Sequence, residues 1–205
     1  MKKIHKQNLI ITWCSVLALS LVSVLGYGLS MMALKGSLVV IISGIISTVG
    51  YFSPLPDDKK ALLLVFPPAI GTLFYSLISG GNSIPYLANF VLLAMTASYF
   101  IETVIIYFAV SFTVISVLFM IFSPETIAGR EYSWAGVISR VFLFAVTGVL
   151  LYLATKRGAR IVKKTEEALE LVQQNASVAN DISGNLNATI QKSMDSVHQL
   201  AEGSS

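Results

Sequence analysis

Charge is what this sequence lacks most. Only 12% of its 205 residues are Asp, Glu, Lys or Arg, against about 25% in soluble globular chains. That shortage argues against a soluble enzyme, a disordered chain or a nucleic-acid-binding domain. Cysteine is almost absent. Cys14 stands alone, which excludes a disulfide framework and any thiolate metal cluster, and it is expected to be a small apolar packing residue. The two histidines, His5 and His198, lie at opposite ends of the chain. No acid–base pair, metal-ligand spacing, nucleophile motif or phosphate loop appears, so neither catalysis nor a cofactor is expected.

What is present is apolar. The chain is 55% hydrophobic with a mean hydropathy of +0.74. Its net charge of +3 conceals an asymmetry, because residues 1–164 sum to +8 and residues 165–205 to −5. An oily basic body is followed by a polar acidic tail.

The body reads as an all-α integral membrane protein with six transmembrane helices. A bilayer core about 30 Å thick takes about 20 apolar helical residues to cross. Residues 9–34 form the first expected span, behind Lys2, Lys3 and Lys6. The run is too long for the h-region of a cleaved signal peptide, so it is expected to be a retained anchor. Lys35-Gly36 reads as the first turn and residues 37–52 as the second span. The polar break from Ser53 to Lys60 holds Pro54 and Pro56. The third span, 61–79, is interrupted by Pro67-Pro68, which remove helix hydrogen bonds. From Ile84 to Phe122 the only charge is Glu102. One helix of that length would be about 58 Å, so the stretch divides near Tyr99–Thr103 into spans 84–99 and 103–122. A loop from Ser123 to Trp134 precedes the sixth span, 136–155.

Six spans with the N-terminus inside place Lys2, Lys3, Lys6, Lys59, Lys60, Lys156, Arg157, Arg160, Lys163 and Lys164 in the cytoplasm. Lys35, Arg130 and Arg140 remain outside. This is a positive-inside pattern with both termini cytoplasmic, as in a bacterial inner membrane.

No proline interrupts the chain after Thr155. Lys156, Arg157, Gly158, Arg160, Lys163 and Lys164 form a basic juxtamembrane joint, suited to anionic headgroups, with Gly158 as a weak helix point that could serve as a hinge. Residues 165–205 read as the start of a coiled coil. Ile161, Thr165, Ala168, Val172, Asn175, Ala179, Ile182 and Leu186 recur by alternating fours and threes, the spacing of a coiled-coil seam. Beyond Leu186 the apolar positions are Ile190, Met194, Val197 and Ala201, offset as after a stutter. A homodimer through this helix is the expected assembly.

The segments from Glu166 to Asn175 and from Ala179 to Asn187 resemble the first cytoplasmic helix of bacterial methyl-accepting chemotaxis proteins. The basic-ended body is similar to the sensor region of members without a large extracellular domain. The resemblance implies a sensory receptor that relays a stimulus through its sixth span into the cytoplasmic coil. It also implies a kinase and a coupling protein as partners, engaged through a hairpin tip that is not found before Ser205. The chain therefore reads as the input half of such a receptor. Glu166-Glu167 and Gln173-Gln174 do not have the small flanking residues of methylation pairs on both sides, and no methylation site is assigned.

Candidate ligand-sensing residues follow from position. Glu102 is the one acidic group inside a long apolar run, although a turn would let it reach water. Pro67 and Pro68 could bend a helix around a small cavity. Glu125, Arg130 and Trp134 belong to the charged, aromatic outward loop, where Trp also serves as an interface anchor. Two other classes remain open, a small six-span permease or pore and a membrane anchor that dimerises.

Overall fold

The structure, a computed structural model, describes the backbone of residues 1–203 and the side chains through Ser196 together with that of His198. Its helices are α1 (Lys2–Tyr27), α2 (Met31–Phe52), α3 (Asp57–Ile78), α4 (Ser83–Ala97), α5 (Glu102–Phe122), α6 (Glu125–Ala128) and α7 (Trp134–Gly203). No strand occurs among the described residues. The chain divides into two units, the body Met1–Ala159 and the tail from Arg160 onward.

Five helices, α1, α2, α3, α5 and α7, are long and apolar enough to cross a membrane. The fourth expected span is shorter. With 15 residues, α4 measures about 22 Å, less than a hydrocarbon core of about 30 Å. The break before α5 falls at Ser98–Ile101, overlapping the expected division near Tyr99–Thr103 but beginning one residue earlier.

The first turn lies elsewhere than expected. Gly28, with φ 62°, ends α1, and the Ser30 hydroxyl accepts the Ala33 N–H at 3.2 Å to begin α2. The cap satisfies an orphan helix donor, so α2 starts before Lys35-Gly36 rather than after it. Gly36 serves packing instead. A Cβ there would stand 2.8 Å from the Tyr75 ring of α3. The same device recurs along this face of α2, where a Cβ on Gly50 would stand 2.7 Å from Leu63. Small residues let the helices approach closely, as membrane helix pairs do.

Pro67 and Pro68 do not interrupt α3. Pro68 offers no N–H to the Leu64 carbonyl four residues before it. The Ser47 hydroxyl of α2 donates to that carbonyl at 3.0 Å, so the neighbouring helix supplies the missing hydrogen bond.

A second core joins α3, α4, α5, α6 and the beginning of α7 around aromatic rings. Phe112 and Phe144 lie 4.9 Å apart between centroids, and Phe108 stacks on Phe112 at 5.9 Å. Ala109 of α5 and Gly148 of α7 approach closely, and a Cβ on Gly148 would stand 3.0 Å from the Ala109 Cβ.

The outer surface of the body is apolar as well as its core. His5, Asn8, Thr12, Ser43, Ser47, Thr72, Ser76, Asn89, Thr96 and Ser116 are buried beside the aromatic and aliphatic core. Leu17, Leu25, Ile45, Val49 and Phe122 are exposed. An apolar outside with polar and small groups among the buried residues suits a body whose surroundings are hydrocarbon. Cys14 is exposed on this outer surface, not packed within.

Candidate functional site

One end of the body carries the N-terminus, the α2–α3 connection and the α4–α5 connection. Three residues far apart in sequence meet there. His5, on the first turns of α1, is buried. Its Nε2 lies 2.9 Å from Oδ1 of Asp57, the first residue of α3. Its Nδ1 lies 3.2 Å from the hydroxyl of Tyr99, in the connection between α4 and α5. A carboxylate only accepts, so Nε2 carries the hydrogen; in the neutral ring Nδ1 then accepts from the Tyr99 O–H. One face of Asp57 remains open to water, whereas His5 and Tyr99 are closed from it.

The Tyr99 phenol offers its O–H as a donor. One turn along α1, the Asn8 amide donates to the Met95 carbonyl and the Ser98 hydroxyl, both at 3.3 Å. The α4–α5 connection is thus held to α1 by two polar side chains.

The next residue, Phe100, has φ 54°, the only positive value at a non-glycine position among the described residues. A bulky side chain in that region is strained. Its ring lies on α7 at Gly158, where a Cβ would come within 2.5 Å of Cε1. Gly158, expected as a hinge, lies inside a continuous helix and provides the notch that receives Phe100. Within the body, Tyr99 and Phe100 therefore connect the His5–Asp57 pair to α7.

A second polar cluster lies in the interior. Asn89 donates to the Thr72 hydroxyl at 2.9 Å, while its Oδ1 and the buried Thr12 hydroxyl have no protein partner. Thr12, Ser15, Ser43, Pro68 and Thr72 line a cavity of about 20 Å³, room for a water-sized molecule. Pro68 does border a cavity, therefore, without breaking its helix.

The other sequence candidates are distributed over the structure. Glu102 is the first residue of α5, half-buried, in the turn where the helix dipole favours a carboxylate. Arg130 donates to the carbonyls of Gly80 at 2.7 Å and Ser79 at 3.5 Å. It thereby caps the carboxyl end of α3, where Gly80 and Gly81 take φ of 69° and 89°. Glu125 packs against Gly81. Trp134 is exposed at the start of α7 with its ring edge-on to Tyr132, 5.8 Å between centroids. Glu125 and Arg130 are occupied in closing the α3–α4 turn rather than grouped around a cavity.

At the joint, the Lys156 ammonium lies 5.8 Å above the Tyr152 ring. Arg157, Arg160, Lys163 and Lys164 are exposed, and Lys163 pairs with Glu167 at 3.9 Å. In the tail the expected seam residues Ile161, Ala168, Val172, Ala179, Ile182 and Leu186 are all exposed. Val197 and Ala201 fall outside the described side chains.

Sequence reasoning missed His5, Asn8, Asp57, Tyr99 and Phe100. One signal was available. The buried positions 5, 8, 12, 16, 19 and 23 of α1 recur by threes and fours, and three of the first four are polar His5, Asn8 and Thr12. In a lipid-facing helix such a stripe marks the inward face. Comparison with known proteins finds no family profile, no curated protein and no solved structure that matches this chain.

Proposed function

We propose that this chain is the membrane-embedded input portion of a dimeric signalling receptor of the chemotaxis type. In this reading α4 and its flanking connection complete a sixth crossing. The basic end, with Lys2, Lys3, Lys6, Lys59, Lys60 and the joint, faces the cytoplasm of a bacterial inner membrane. A stimulus acting on the body displaces α7, and the coil transmits the displacement. A coupling of about 1–3 kcal/mol is enough to bias two packing states.

The observation that carries the reading is the course of α7. It continues without a break from an apolar segment into a stretch whose exposed apolar residues include the seam of alternating fours and threes. Ile161, Val172, Ile182 and Leu186 are each more than half exposed. A seam of alternating threes and fours is matched by a second copy of itself, and a lone solvated helix gains nothing from it. No such output helix is needed by a permease.

The test is disulfide crosslinking in membranes, in a Cys14→Ala background. Single cysteines at Val172, Ala179 and Leu186, one on each successive turn pair of the seam, are expected to give dimers. Ser177→Cys, on the outer face, is expected to give few. Equal yields on both faces, or no dimers at any seam position, would overturn the reading.

A further inference from the structure

Among the described residues, His5 is the one fully buried ionisable side chain that hydrogen-bonds to a carboxylate open to water. Its neighbour Tyr99 belongs to an apolar cluster with Ala61 and Val104, bordered by Ile4, Leu62 and Ile101. Both ring nitrogens of His5 have partners, so the imidazole is buried with its hydrogen bonding satisfied.

Its two ring nitrogens face different partners, so a change of protonation is read on one side only. In the neutral ring Nε2–H donates to Asp57 and Nδ1 accepts from the Tyr99 hydroxyl. Uptake of one proton places a hydrogen on Nδ1. Nδ1 then donates to the Tyr99 oxygen, and the Tyr99 hydrogen has to turn to another acceptor. The Asp57 contact survives as a full ion pair. The Tyr99 contact reverses. Tyr99 is joined by a single peptide bond to Phe100, whose strained backbone holds its ring in the Gly158 notch of α7.

Other charges bear on the same groups. The α-amino group of Met1 and the Lys60 ammonium act on Asp57. Lys2, Lys3 and Lys6 on α1, Asp58 and Lys59 on α3, Glu102 on α5 and Lys156 and Arg157 on α7 are the remaining charged groups of this end. Basic groups predominate, and Asp57 is the one acidic group in hydrogen-bond contact with the ring.

We propose that His5, Asp57 and Tyr99 form a proton-binding site, and that Phe100 hands its protonation state to α7 at Gly158. The ligand is the proton on the side of the membrane that carries the N-terminus. The site itself stands on the body alone; only its use as a stimulus rests on the receptor reading.

Nuclear magnetic resonance of the full chain in lipid nanodiscs tests it, with ¹⁵N-histidine and ¹³C-glycine labels. Phe100 lies on Gly158, so the ring current makes the Gly158 α-protons a reporter of that contact. Between about pH 5 and pH 8, the window of imidazole chemistry, the His5 ring is expected to take up one proton. Gly158 is expected to shift with the same midpoint. In His5→Gln, which keeps hydrogen bonding but cannot titrate, Gly158 becomes independent of pH. In Tyr99→Phe, His5 still titrates and Gly158 ceases to follow. A His5 ring that does not change protonation would overturn the proposal. So would a Gly158 resonance that stays fixed while His5 titrates, or one that still titrates in His5→Gln. Should His5→Gln not fold, Tyr99→Phe tests the coupling by itself, and a Gly158 resonance that still follows His5 there overturns it. Absence of seam crosslinks in the dimer experiment would remove the receptor reading and leave these resonances unaffected.

Discussion

The body and the tail are built from the same kind of element and solve opposite problems. In the body, polar groups are buried beside an aromatic and aliphatic core, while other large apolar groups face outward. In the tail, every described side chain is exposed, the apolar ones included. Neighbouring helices of the body supply partners to buried groups such as Asn89 and the Leu64 carbonyl, while the Thr12 hydroxyl and the Asn89 Oδ1 have none. The tail buries none of its described side chains. Hydrophobicity alone therefore does not say where a residue goes, because large apolar side chains stand both in the core and on the outer surface of the body.

The sharpest way to break this contrast is to enlarge the inward glycines. Gly36→Leu drives a side chain into the Tyr75 ring and Gly50→Leu into Leu63. Each is expected to cost about 3 kcal/mol, the upper part of the range for overpacked cores. Unfolding of the purified protein in increasing denaturing detergent would show the loss, whereas Gly184→Leu, with nothing within 4 Å, should leave the body's transition in place.

A smaller effect is expected where the body repairs its own backbone. Ser47→Ala removes the donor to the Leu64 carbonyl and should cost about 1–2 kcal/mol. In a Pro68→Ala background the restored N–H serves that carbonyl, and the same substitution should cost less than about 0.5 kcal/mol. A double-mutant cycle measures the difference directly. Equal costs in both backgrounds would mean that Ser47 does not compensate for Pro68.

The smallest effect belongs to the tail. The Lys163–Glu167 pair is exposed on both sides, so Lys163→Ala should change helix stability by no more than a few tenths of a kcal/mol. Circular dichroism melts of the two proteins should nearly superimpose. A large loss there would show that the tail's surface charges are engaged in an interface.

Much of the architecture could be read from residue order. The helical character, the break near Ser98–Ile101 and the uninterrupted course of α7 all follow from apolar run lengths and from the positions of proline and glycine. The first turn could not be read in the same way. Gly28-Leu29-Ser30 and Lys35-Gly36 offer similar turn chemistry, and the choice depends on Tyr75 needing a flat place on α2. Pro67-Pro68 looked like an interruption because the compensating hydroxyl, Ser47, stands on another helix. The candidate site was the least legible. His5 is separated from Asp57 by 52 residues and from Tyr99 by 94, and no local pattern joins them.

The sequence by itself determined that this is a helical chain with an apolar body and a polar tail, because period and run length are local properties. Only the tertiary structure decided which polar residues meet, since helix packing sets rotation and depth together. It placed Arg130 on the end of α3, Ser47 on the carbonyl left by Pro68, and Phe100 in the notch of Gly158. It also gave a histidine near the N-terminus a buried place between a carboxylate and a phenol.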